Sequence, residues 1–295
     1  MVHQTIKSQT DTQSTSLAPK FVPSWTISSL IGLTLIVALV ASFSGRLPDF
    51  AAWTVPIGFA ITLALSIWVT PKHFTIGFLT SMLPFLIAWR AAAMNHNWAI
   101  MIIAFIAFLG LLAQLTDCIV NDQRHTQKSA RWINAVLWQF AIIRMYFGFN
   151  EIGHSVEKIF AGSASFNQLF HAFFGFGLTN GTGVFVVVAG LLELAVAIGI
   201  GFGFLTRAAG VGGVIYLLVA TVGFGHEWAH GYGWSTTGGG WEYVMLLIVF
   251  FGSFAFTGAS KFSIDGWLIR HKKMPRWLIP LALNKAGAED VSKLS

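Results

Sequence analysis

Cysteine is almost missing from this chain: Cys118 is its single thiol. A disulfide within the chain is thereby excluded, and so is a dithiol redox centre. Charge is scarce as well, since Asp, Glu, Lys and Arg together make up only 10 % of the residues. The glycine runs 198–203 (IGIGFG), 210–213 (GVGG) and 238–240 (GGG) follow no strand and carry no phosphate-cradling pattern, so nucleotide binding is not supported. They suit close helix packing and tight turns instead. The net charge of +6 lies in loops and in the C-terminal tail, not in one basic patch, which argues against nucleic acid as a partner.

Apolar surface is what the chain has in excess. It is 55 % hydrophobic, with 27 Phe and 12 Trp, and eight apolar runs stand out at roughly 25–43, 52–70, 74–92, 97–119, 132–150, 182–203, 208–225 and 241–258. At about 1.5 Å per residue each can cross about 30 Å of hydrocarbon. Pro56 and Pro84 fall inside the second and third runs, where membrane helices tolerate them. The expected fold is all-α and polytopic, with eight transmembrane helices.

The basic residues predict an orientation. With the N-terminus inside, the inner segments hold Lys7, Lys20, Lys72, Arg124, Lys128, Arg131 and Arg207, together with seven Lys and Arg of the C-terminal tail. The outer loops hold Arg46, Arg90 and Lys158. Such a bias places both termini in the cytoplasm of a cell whose inner (plasma) membrane carries the protein. The expected organisation is a polar, disordered cytoplasmic tail over 1–23, a four-span block over 24–121, and a cytoplasmic linker over 122–131. A second four-helix bundle over 132–268 and a basic cytoplasmic tail over 269–295 complete it. Lipid is the expected surrounding partner.

Arg144 and Glu193 lie inside apolar runs. A charge at bilayer depth costs roughly 2.5–3.5 kcal/mol on insertion scales, so such residues pair or mark function. Two readings stand side by side: an Arg144–Glu193 ion pair that only locks two spans, or a site for an anionic or quinone-like ligand. Continuing the fifth run as helix puts Arg144, Glu151, Ser155 and Lys158 on one face with His154 beside it. Glu242 opens the last run. Phe166, Leu169, Phe170, Phe173 and Phe174 draw one apolar stripe, predicting a short interfacial helix with Asn167, Gln168 and His171 off the stripe. The string HEWAH at 226–230 presents His226 and His230 four residues apart around Glu227. That is zincin spacing, and it is weighed against a looser metal or haem site and against plain polar lining of the outer mouth.

Three stretches carry a family resemblance. IIRMYFGFNEIGHSVEKIFAG (142–162), GLLELAVAIGIGFGFLTRAAGVGG (190–213) and GGGWEYVMLLIVFFGSFAFTGASKFSIDGWL (238–268) resemble, in order, the opening, second span and last span of DoxX/DoxD-like membrane proteins. The resemblance covers about 132–270. It implies a four-helix membrane bundle and, in the DoxD branch, the membrane subunit of a thiosulfate:quinone oxidoreductase working with a small partner subunit. On that resemblance Arg144, Glu193 and Glu242 form the polar, catalytic core. Glu151, His154, Lys158, His226 and His230 are candidate substrate- or quinone-binding residues, and Lys158 and Asp265 are supporting motif positions. The alternative is a non-catalytic scaffold or small-molecule permease with a structural Arg–Glu pair.

Overall fold

The computed structural model describes residues 19–224 and 241–293. Among these residues there is no strand, and every apolar run corresponds to a helix. The helices are α1 (Ser24–Phe43), α2 (Ala51–Trp68), α3 (Phe74–Met94), α4 (Trp98–His125), α5 (Arg131–Ile159), α6 (Ser163–Gly175), α7 (Thr182–Val196), α8 (Thr206–Leu217) and α9 (Trp241–Thr257). Short helices α10 (Ile264–Arg270), α11 (Ile279–Ala282) and α12 (Lys285–Lys293) follow. Both α7 and α8 end in a π-helical stretch, Ala197–Gly201 and Leu218–Phe224. The expected disordered tail over 1–23 falls mostly outside the described residues, and HEWAH falls entirely outside them.

Six of these helical segments are long and apolar enough to cross a membrane: α1 to α4, α7 with its π-helical end, and α8 with its own. The fifth run forms a 29-residue helix that carries Arg144, Glu151, Glu157 and Lys158. The last run forms a shorter apolar helix of 17 residues. The outer surface agrees with lipid. Ile36, Ile102, Leu191, Ile215 and Val249 are exposed along the helices, and Trp25, Trp53, Trp68, Trp98 and Trp132 are exposed at their ends. Indoles collect where hydrocarbon meets headgroups.

Helices alternate in direction between two ends of the bundle. At the tail end the turn 125–131, the junction 68–74, the loop 201–206 and the segment 258–270 meet. Here Trp138, Phe74 and Phe78 pack around Phe262 in tilted and edge-to-face contacts. The cap end holds the junctions near 44–50, 95–97 and 160–163. Asn95 Nδ2 donates to Ala161 O at 2.9 Å, and Ser163 hydrogen-bonds Asp49. One buried apolar cluster runs through α1 to α5 and takes in Ala197, Phe202 and Phe262. A smaller one joins α7, α8 and α9 through Val196, Leu217, Leu247 and Phe251.

Glycines set how closely α5 and α7 approach. A Cβ on Gly148 would lie 2.1 Å from Gly201 N, so the two backbones touch there. Toward the cap end Gly190 packs against Lys158 and Ile159. The two contacts show antiparallel helices and fix their register. The predicted amphipathic helix forms as α6, with Phe166, Leu169, Phe170 and Phe173 half-buried and Asn167, Gln168 and His171 exposed; Phe174, the last residue of the stripe, is exposed as well.

Candidate functional site

The expected Arg144–Glu193 pair does not form. By the glycine register, Glu193 lies level with about residue 155, some 16 Å further along α5 than Arg144 at 1.5 Å per residue. Helical side chains also lean toward their own N-terminus. Arg144 therefore drops toward the tail end while Glu193, on an antiparallel helix, rises toward the cap end. Each residue therefore finds other partners.

Arg144 is 1 % exposed and spends its guanidinium on backbone. Nη1 donates to Ile200 O and Gly201 O, and Nη2 to Phe262 O, all at 2.7 Å. A helix C-terminus leaves carbonyls without intrahelical partners and carries partial negative charge, so a cation suits the end of α7. The same knot includes Gly203 at φ +70°, where a Cβ would meet Ser263 and Arg144. Phe202 O and Gly203 O accept from Ile264 N and Asp265 N. Asp265 accepts from Leu205 N, Thr206 N and Thr206 Oγ1 at 2.7–2.9 Å. Burial pushes its carboxyl above the ordinary range, against the pull of the Thr206 and Leu205 donors and of Arg144. The Ser263–Asp265 motif thus ties the α7–α8 loop to the segment after α9.

A second tail-end cluster escaped the sequence reading, which placed Asp122 at the head of a linker. Asp122 is buried in the last turns of α4, and its Oδ2 accepts from Asn134 Nδ2, Trp138 Nε1 and Lys261 Nζ at 2.7–2.8 Å. Burial lowers the Lys261 ammonium while Asp122 pulls it back up. The i, i+4 spacing of Asn134 and Trp138 was the available signal, but nothing local names their partner.

The other buried charges converge between α5, α7 and α8. Lys158 Nζ donates to Glu193 Oε1 at 2.8 Å and to His154 O at 3.3 Å. Tyr216 OH donates to the same Oε1 at 2.7 Å. Glu193 Oε2 receives nothing and is buried; Glu151 Oε1 and Ser155 Oγ are also buried without partners. Buried polar atoms in folded proteins are overwhelmingly hydrogen-bonded, so each exception needs a reason. Here three lie on one helical face and its neighbour. Lys158 forms its ion pair with Glu193, and Glu151 stands on the same face of α5 as Lys158. Tyr216 was missed because nothing in the sequence marks it among exposed apolar neighbours.

The remaining candidates stand apart. His154 is half-buried on the edge of this cluster and lines a cleft with α3, and Glu242 is half-buried in the first turn of α9. Cys118 is buried near the tail end. His226 and His230 lie outside the described residues. Among the described residues, no three His, Cys, Asp or Glu side chains gather as a metal site would require.

No curated protein matches the chain, and no solved structure does. Residues 140–226 match the family model described as DoxX. That match takes in α5 from residue 140 onward, α6, α7 and α8, and so contains Arg144, Glu151, Lys158, Glu193 and Tyr216 together with the first two resembling stretches. The segment similar to the DoxX model supplies Arg144 and the whole Glu193 cluster, while Phe262 and Asp265 lie beyond it.

Proposed function

We propose that this chain is the membrane component of a redox system that oxidises a small sulfur compound such as thiosulfate, two thiosulfate ions joining through a new S–S bond and giving up one electron each, and reduces quinone with those two electrons. The observation that carries the reading is the under-satisfied cluster of Glu193, Lys158, Tyr216, Glu151 and Ser155. Reducing a quinone consumes two protons with its two electrons. Its oxygens change from hydrogen-bond acceptors into donors as it does so. The cluster suits both states: Lys158 Nζ and Ser155 Oγ can donate to a carbonyl, and Glu193 Oε2 and Glu151 Oε1 can accept from a hydroxyl. The carboxylates are the proton donors in this scheme, and Tyr216 and Lys158 hold Glu193 in place.

The eight helices then form two four-span blocks of an inner membrane protein with both termini cytoplasmic. The cap end faces outward, where a partner subunit would deliver the sulfur compound. Arg144 keeps the bundle closed at the cytoplasmic end rather than binding substrate. A second reading, a non-catalytic scaffold or permease, is favoured by one observation: Lys158 and Glu193 already pair and could simply lock α5 to α7.

Vesicles holding the purified chain, with the partner subunit that DoxD-type proteins use, should reduce a short-chain ubiquinone analogue when thiosulfate is added. The double variant Lys158→Met, Glu193→Leu should fold and lose this activity. Full activity in the double variant, or none in the parent protein, defeats the redox reading.

A further inference from the structure

The chain beyond α9 carries charge of one sign on a folded surface. Between Gly266 and Ala288 it has Arg270, Lys272, Lys273, Arg276 and Lys285 and no Asp or Glu. The segment is held in place by an apolar core of its own, in which Ile269, Met274, Ala282, Leu283 and Val291 are buried and Leu205 packs beside them. Leu283 bridges Gly258, and Asn284 N donates to Thr257 O. Gly258, at φ +75°, permits the approach, since a Cβ there would lie 2.0 Å from Ala282 O. Arg207 of α8 donates to Ala255 O at 2.9 Å and to Pro280 O at 2.6 Å. These contacts fasten α10 to α12 as a collar against the tail-end termini of α8 and α9.

The outer surface of this collar joins cations to exposed apolar groups. Trp277 is 74 % exposed and Leu281 42 %, although the same segment buries five other apolar side chains. Trp25, Trp68 and Trp132 are exposed at the same end, and Phe256 is exposed in the last turn of α9, so Trp277 extends an indole belt where the apolar spans end. Lys272, Lys273 and Arg276 are exposed beside it, and Lys273 Nζ is steadied 4.8 Å above the Trp267 ring. Lys285 has Glu289 four residues on along α12, which leaves Lys272, Lys273 and Arg276 as the unbalanced cations. We propose that the collar docks on anionic phospholipid of the leaflet at the tail end. Trp277 and Leu281 enter the headgroup layer, and the three cations take its phosphates. A zwitterionic headgroup brings no net charge to balance them, so the surface selects for anionic lipid. The proposal depends neither on the redox reading nor on which side of the membrane the tail end faces.

The test is native mass spectrometry of the full chain released from detergent micelles that hold equal amounts of phosphatidylglycerol and phosphatidylcholine with the same acyl chains. The lipid retained by the protein should be enriched in phosphatidylglycerol. Lys272→Gln, Lys273→Gln and Arg276→Gln together should cut that enrichment on the order of tenfold or more, since each cation near a headgroup is worth about fivefold. All three side chains are exposed, so the melting temperature should stay near the parent value. Arg124→Gln, Lys128→Gln and Arg131→Gln remove the same charge from the α4–α5 turn at the same end and should leave the enrichment unchanged. Trp277→Ser with Leu281→Ser should lower retention of both lipids and keep the preference between them. Excess inorganic phosphate at constant ionic strength should displace neither lipid. No enrichment in the parent protein overturns the proposal, as does an equal loss in the α4–α5 triple variant, which would make the effect one of general surface charge. Displacement by inorganic phosphate, or full retention of both lipids in the Trp277→Ser, Leu281→Ser protein, overturns it as well.

Discussion

Two buried polar centres lie about 16 Å apart along α5, at 1.5 Å per residue, and they are built on opposite principles. Around Arg144 the buried Nε has no partner, but three carbonyls take the other two guanidinium nitrogens and three donors take Asp265. Around Glu193 one carboxylate oxygen takes both available donors while three other polar atoms wait. A satisfied centre rigidifies; an unsatisfied one pays a desolvation penalty that selection tolerates where chemistry or a ligand repays it. Charge and burial alone cannot separate the two cases, whereas the partners can.

The comparison breaks most visibly at Arg144. Arg144→Ala leaves three buried carbonyls unmet at the tail end and should cost on the order of 3–5 kcal/mol. Loss of folded protein, read by thermal unfolding in detergent, is the expected outcome. A stable Arg144→Ala protein that has lost only quinone reduction would reverse the roles assigned to the two centres. Lys158→Met alone strands Glu193 and should cost a similar amount or slightly less, since Tyr216 remains. Adding Glu193→Leu should restore most of that stability without restoring activity, and melting curves of the two variants side by side test this.

Gly148→Ala probes the shared wall. Its Cβ cannot fit against Gly201, so α5 and α7 must separate, at a cost of about 1–3 kcal/mol typical of overpacking. Both centres should loosen together, seen as a lower melting temperature and faster proteolysis. Tyr216→Phe is gentler. It removes one hydrogen bond to Glu193, and a loss of about 1–2 kcal/mol is expected, with quinone reduction falling more than stability. Asn167→Ala, on the exposed face of α6, should change stability by less than about 0.5 kcal/mol and serves as the reference for surface positions.

Much of the architecture was legible in the sequence. All eight apolar runs became helices with ends shifted by a few residues, except that α4 runs on to His125 and α5 to Ile159. Those extensions are polar, and a hydropathy pattern stops where polarity begins even though the helix does not. The amphipathic stripe of α6 was visible because its spacing is local. The face shared by Glu151, Ser155 and Lys158 was visible for the same reason, since all three follow from one helical repeat.

Partnership was not legible. The sequence determined that this protein is a bundle of apolar helices, that charge inside it is rare, and which residues carry that charge. Only the tertiary structure decided that Arg144 closes the tail end, that Glu193 belongs to Lys158 and Tyr216, and that Asp122 reaches Lys261 across 139 residues. The physical reason is register. Gly148 on Gly201 and Gly190 on Lys158 set how α5 and α7 slide past each other. A helix periodicity fixes which side a residue faces, but the height at which two helices meet is set by packing between them.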